Sequence, residues 1–153
     1  MSVLDLVPEA WLSSDINVFN DNRVLVAELH FSRWRENGSI LFEGRRYAVH
    51  KDGMFNSRFL LEADGRNCAQ AQLKASWSRT VFLDDEGVSY VLRWTALSRR
   101  VQVSCKGLEL GAVYRTGFWG RRARGELVDE IPLRARVFML WLICLGWNRD
   151  AAG

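Results

Sequence analysis

Residues 118–124 read Phe-Trp-Gly-Arg-Arg-Ala-Arg, two aromatic rings set directly before Arg121, Arg122 and Arg124. That combination suits a membrane interface or an anionic head group, because the rings of Phe118 and Trp119 insert while the guanidiniums hold phosphate. Arg99 and Arg100, after Ser98, sit at another expected strand end and join the set if the fold gathers them. Arg33-Trp34-Arg35 and Arg45-Arg46 are further basic strand ends. The candidate anion-binding residues are therefore Trp119, Arg121, Arg122, Arg124, Arg99 and Arg100. The competing reading has Trp119 and Phe118 plugging an apolar opening while the arginines face water. Stacking and phosphate contact also suit single-stranded nucleic acid, which ranks behind an anionic lipid here.

Other residue types offer little chemistry. His30 and His50 are the only histidines, and neither lies in an H-E-x-x-H or H-x-E pattern. There is no G-x-S-x-G elbow, phosphate loop or G-x-G-x-x-G, and Gly117-x-x-Gly120 lacks the strand-loop-helix context of a phosphate loop. Asp84-Asp85-Glu86-Gly87 clusters carboxylates that suit a hard cation, but without the ligand spacing of a calcium loop it reads as a solvated hairpin turn. Cys68, Cys105 and Cys144 are odd in number and far apart, which fits neither a disulfide framework nor a zinc site. No catalytic residue, metal ligand or cofactor is assigned, and the expectation is a non-enzyme.

The net charge of +3 is too mild to specify nucleic acid and favours anionic partners only slightly. The basic residues are arginines except for Lys51, Lys74 and Lys106, a bias that suits bidentate anion contacts but that genomic base composition also produces. The start, MSVLDLVPEAW, has no basic, apolar signal pattern, so a cytoplasmic, reducing location is the default.

Positioning the arginines falls to a run of short strands. At 153 residues the chain fits one domain with a substantial core. Ser2 to Leu12 reads as a helical turn or extended arm, and Ile16 to Phe19 as a short strand between turn-forming clusters. From Arg23 the strand signal is regular. Glu36-Asn37-Gly38, Asp52-Gly53 and Asp64-Gly65 mark hairpins, Asp52-Gly53 most strongly, and Glu86-Gly87 and Lys106-Gly107 continue the rhythm. Tyr47 and Val49, then Tyr90, Leu92 and Trp94, then Val101 and Val103 alternate onto one face. Strands at this spacing predict an antiparallel barrel or sandwich.

Then the pattern changes. Val137 to Leu145 is apolar at every helical angle, with Asp129, Glu130 and Pro132 at its start and Gly146 and Asn148 as stops. At 1.5 Å per residue, Val137 to Trp147 covers about 16 Å, roughly half the hydrocarbon thickness of a bilayer. Extending the span backwards brings in Arg134 and Arg136, about 200° apart around the helix, so both cannot hide on one face. An interfacial helix needs a polar face that this segment lacks. Burial inside the strands remains. A helix is too wide for a packed eight-stranded barrel, whereas about eleven strands form a can that accommodates one. The alternative is the helix packed on one open sheet.

The chain resembles the tubby C-terminal-like superfamily, which includes LURP-one-related and phospholipid scramblase-like proteins. The likeness is carried by Gly44-x-x-Tyr47-x-Val49, Phe59-x-Leu61 before Asp64-Gly65, and Ser78-Arg79 ahead of Val81-Phe82. It continues in Gly87-x-x-Tyr90-x-Leu92, Arg99-Arg100, Gly111-x-Val113 and the final helix, covering about residues 24 to 147. The resemblance implies a closed antiparallel barrel threaded by a hydrophobic C-terminal helix. It also implies a non-enzymatic module, bound in some relatives to phosphoinositides or associated with membranes. The chain departs from the scramblases, having no cysteine-rich run, no proline-rich N-terminus and no separate membrane span.

The expected fold is thus mainly β, a closed antiparallel β-barrel of about eleven to twelve strands around a buried hydrophobic C-terminal helix. Residues 1–22 form an N-terminal arm and 23–153 the barrel, with the helix at 131–147. The expected partner is an anionic membrane lipid, or a protein reading a strand edge or the N-terminal arm, rather than nucleic acid. The expected location is cytoplasmic with peripheral membrane association and no transmembrane span.

Overall fold

The computed structural model describes residues 1–10, 13–32, 36–52, 58–74, 79–95, 99–117 and 121–152. Twelve strands and one helix follow in order: β1 (Ser2–Pro8), β2 (Ile16–Phe19), β3 (Leu25–Phe31), β4 (Gly38–Phe42), β5 (Arg45–Asp52) and β6 (Arg58–Ala63). Then come β7 (Arg66–Lys74), β8 (Thr80–Asp85), β9 (Val88–Trp94), β10 (Arg100–Cys105), β11 (Leu108–Arg115), β12 (Ala123–Leu127) and α1 (Leu133–Ala152). Every strand is antiparallel to its sequence neighbour, and β1 lies between β2 and β12, so the sheet closes into a barrel.

The closure corrects one expectation. Residues 1–22 are not an arm: β1 joins the last strand to the second, with Ser2 opposite Leu127 and Leu6 opposite Val18. Leu4 and Leu6 are buried inward while Asp5 faces out. Period-2 alternation makes this strand read as half-buried, but its partner lies at the far end of the chain. Closure also removes the free strand edge that a protein partner was expected to read.

Each strand sends apolar side chains inward, among them Val18, Leu29, Ile40, Val49, Leu61, Leu83, Leu92, Val103 and Val113. The opposite positions carry Asp5, Glu28, Glu62, Arg93, Gln102 and Glu126, giving a polar exterior. The inward set surrounds α1, whose residues from Val137 to Ile143 are buried all round. A helix apolar on every face is stable only when enclosed, and twelve strands leave room for it. The wall thins where the helix is bulky: Gly125, opposite Leu4 and Val113, has the Leu140 side chain 3.5 Å from where a Cβ would stand. Trp141 donates from Nε1 to the His30 carbonyl at 3.1 Å, stacks on Phe31 at 5.1 Å and meets Phe59 edge-on. Its single polar atom is therefore satisfied within the core.

The helix also runs past its expected stops, through Gly146 and Asn148 to Ala152. Gly146 is a packing glycine and not a cap, because a Cβ there would stand 2.9 Å from the Trp94 ring. The added turn brings Arg149 to Glu36 and Asp150 to Arg79. Among the described residues no helix is long and apolar enough to cross a membrane.

The two ends of the barrel differ. At one, Glu43-Gly44, Asp64-Gly65, Glu86-Gly87 and Lys106-Gly107 close hairpins with both residues at positive φ, the mirror-image turn that matches strand twist. We call this the turn end; α1 enters there. At the other, the loop end, connections run over 9–15, 32–37, 53–57, 75–79, 95–99 and 116–122. Two expected hairpins belong to these longer connections. Gly38 is already in β4 opposite Phe31, and Asp52 pairs with Arg58, so Asp52-Gly53 does not form a two-residue turn.

Candidate functional site

Of the six candidate residues, the described structure places four arginines at or beside the loop end and sets Arg124 outward on a strand, while Trp119 lies outside the described residues. The neighbouring order β9-β10-β11-β12 brings the 95–99 and 116–122 connections side by side. The Arg115 amide donates to the Arg99 carbonyl at 2.9 Å, and the Thr116 amide to the Arg122 carbonyl at 3.0 Å. Arg99 donates to the Gly117 carbonyl at 2.7 Å, tying the two connections together. Arg121 reaches across to the Ala10 carbonyl at 3.4 Å. Arg122 is exposed, and its guanidinium has no partner among the described residues.

Arg100 and Arg124 behave differently. Both stand on the barrel's outer wall, Arg100 at 3.9 Å from Glu109 and Arg124 at 2.9 Å from Asp5. The hydrogen bond to Asp5 raises Arg124 above the ordinary arginine value. These exposed pairs neutralise charge locally and contribute little else. The basic arc therefore consists of Arg99, Arg121 and Arg122, joined by Arg115, which was not among the expected residues.

Arg115 shares the inward parity of Val113 at the last position of β11, so it points into the barrel mouth. Its guanidinium lies 4.9 Å over the Trp147 ring. Burial lowers it below the ordinary arginine value, which the Asp150 carboxylate opposes and the Arg99 charge reinforces. The signal available in the sequence was the i, i+2 spacing from Val113. Nearby, burial pushes the Cys144 thiol up to about 12, against a pull downward from Arg115 and Arg121.

On the other side of the same mouth is a pocket of about 230 Å³ between β6–β9 and the last turns of α1. Its wall is largely apolar, and Arg79, Arg149 and Asp150 stand at its rim. Arg79 donates to Asp150 through both terminal nitrogens, one at 2.8 Å. Arg149 lies over the Phe59 ring, is paired with Glu36, and is lowered by burial.

The remaining expected chemistry is distributed elsewhere. His30 and His50 both alternate outward, on β3 and β5. The His30 ring is 3.0 Å from Asp15, which also accepts from the Phe31 amide, a clip for the 9–15 connection. His50 lies 3.6 Å from Glu62 on the outer wall. Asp85, read from sequence as part of a solvated turn, is buried and paired with Arg134 at the helix entrance. Arg134 is raised strongly, chiefly by that hydrogen bond, and Glu86 stands 3.2 Å away. Among the described residues no group of His, Cys, Asp and Glu is arranged to hold a metal ion. The chain matches no protein-family model, no curated protein and no solved structure.

Proposed function

We propose that the chain is a non-catalytic binding module whose loop end docks on anionic lipid head groups at a membrane surface. The observation that carries this is the basic arc. Main-chain bonds between neighbouring connections bring Arg99, Arg115, Arg121 and Arg122 to one mouth, and Arg122 is exposed with no carboxylate partner among the described residues. Guanidiniums presented together in this way bind phosphate or carboxylate oxygens bidentately. The outward placement of both histidines, on separate strands, supports a binding role over a catalytic one. We propose further that the chain is a divergent relative of the tubby C-terminal-like superfamily. The closed barrel around a C-terminal helix supports that reading.

The test is co-sedimentation with phosphatidylcholine vesicles, with and without phosphatidylserine or a phosphoinositide. The wild-type chain is expected to pellet only with anionic vesicles at low salt. Binding should weaken steeply at high salt, because the Debye length shrinks to about 3 Å at 1 M. The Arg121→Gln/Arg122→Gln double variant should lose most binding while keeping its fold. Equal pelleting with neutral and anionic vesicles would remove the proposal.

A further inference from the structure

Head-group contact leaves the neighbouring pocket without a role. Its chemistry is apolar, with Phe59, Leu73, Val81 and Trp94 from the barrel wall and Leu142 and Leu145 from the helix. Leu73, Trp94 and Leu145 stay only half-buried although they pack on fully buried core residues. Apolar surface is therefore open to water at the mouth of a dry core, and hydrocarbon would cover it favourably. At about 230 Å³ the space exceeds the roughly 150 Å³ that holds a benzene-sized guest in an apolar cavity. The pocket is also built: Gly146 lets the Trp94 ring lie against the helix, and the Arg79–Asp150 pair braces the helix end across the rim. Asp150 also acts electrostatically on Arg115, so pocket and basic arc meet at this carboxylate.

We infer that the pocket takes the hydrocarbon segment of an anionic amphiphile, a short alkyl stretch or single ring, while the basic arc holds its head. The inference rests on the head-group reading for the charge and on the pocket for the tail. The ligand is then partly withdrawn from the bilayer and not merely touched at its surface.

The test uses the full chain without vesicles, titrated calorimetrically with octanoate, octanol and inorganic phosphate. Octanoate is expected to bind one to one, and octanol about tenfold more weakly for want of a charge-assisted hydrogen bond. Excess inorganic phosphate should weaken octanoate but not octanol by competing for the arc; octanoate binding unmoved by phosphate overturns the coupling to the arc. Leu145→Trp fills the pocket from the helix and should abolish octanoate binding, while vesicle pelleting weakens but keeps its dependence on anionic lipid through the arc. Leu73→Trp fills it from β7 and serves should the first variant not fold. Absent octanoate binding with intact vesicle binding overturns this inference alone. Octanol binding as tightly as octanoate overturns the coupling to the arc, and unchanged binding in both filled variants overturns the pocket assignment. Lost vesicle specificity in the presence of octanoate binding counts instead against the head-group reading.

Discussion

The two ends of the barrel solve opposite problems with the same strands. At the turn end, four hairpins close in two residues each with the backbone committed to positive φ, and Val24, Leu25, Val88 and Leu108 are exposed beside them. Charges of both signs meet there, Glu43, Asp64, Glu86, Asp129 and Glu130 beside Arg23, Arg45, Arg66 and Lys106, and the buried Asp85–Arg134 pair pins the helix entrance. The loop end has longer connections, arginines set at strand termini, an inward Arg115 and a partly open apolar pocket. Short connections concentrate folding information, and longer ones free side chains for contact. On the reading proposed above, the turn end serves folding and the loop end serves binding.

The largest expected effect tests the element both ends share. Trp141→Asp should yield no soluble folded protein, because the carboxylate would lose its hydration among Phe31, Phe59 and the barrel wall without a partner. A soluble variant with native circular dichroism would remove the central-helix account. Next, Arg134→Met should destabilise the chain by about 3–5 kcal/mol in urea unfolding, since it strands the buried Asp85. The exposed Arg100–Glu109 pair on the outer wall should give at most about 1 kcal/mol in the same measurement when Arg100 becomes Gln. Comparable losses would erase the distinction between structural and presented arginines.

A smaller effect is expected from pH. Burial raises Cys144 from 9.0 to about 12, so folding favours the protonated thiol. Its stabilising contribution is complete below pH 9 and is lost as pH rises towards 12, by up to about 1.4 kcal/mol per pH unit. Tyr90 and Tyr114 are shifted in the same direction. The decisive measurement is therefore the difference in alkaline slope between wild type and Cys144→Ala. Equal slopes would show that the thiol is not insulated beneath Arg115 and Arg121. The finest test is one of position. Arg66→Gln and Lys106→Gln, at the turn end, should leave pelleting with anionic vesicles unchanged, whereas Arg121→Gln/Arg122→Gln should reduce it. Equal reductions would mean that net charge, and not the loop end, drives association.

Much of the scaffold was legible in local pattern. Tyr47 with Val49, Tyr90 with Leu92, and Val101 with Val103 alternate as inward residues, and Asp64-Gly65 and Lys106-Gly107 turn where their types demand. Gly146 was misleading, since a glycine after an apolar run reads equally as a stop or as space for a neighbour. Only Trp94, brought up from β9, distinguishes the two. Asp85 sat in an acidic run that looked solvated, and its true surroundings come from Arg134, distant in sequence. Of the candidate site, the arginines of the 116–122 connection and Arg99 were visible as clusters. Arg100 and Arg124 looked equivalent to them, but Arg124 faces Asp5 as its register partner, and Arg100 reaches along the outer wall to Glu109, which stands opposite Ser104.

Local units are written in neighbouring residues: strands in period-2 alternation, turns in glycine after an acidic or basic residue, and a helix that must be enclosed because it has no polar face. That residues 2–8 close the barrel, that Arg115 lies at the same mouth as Arg99, Arg121 and Arg122, and that a pocket opens beside them emerges once the chain is folded. The physical reason is separation along the chain. Backbone periodicity is a property of neighbouring residues, whereas closure, register and shared charge arise between segments that meet only once the sheet has curled around its helix.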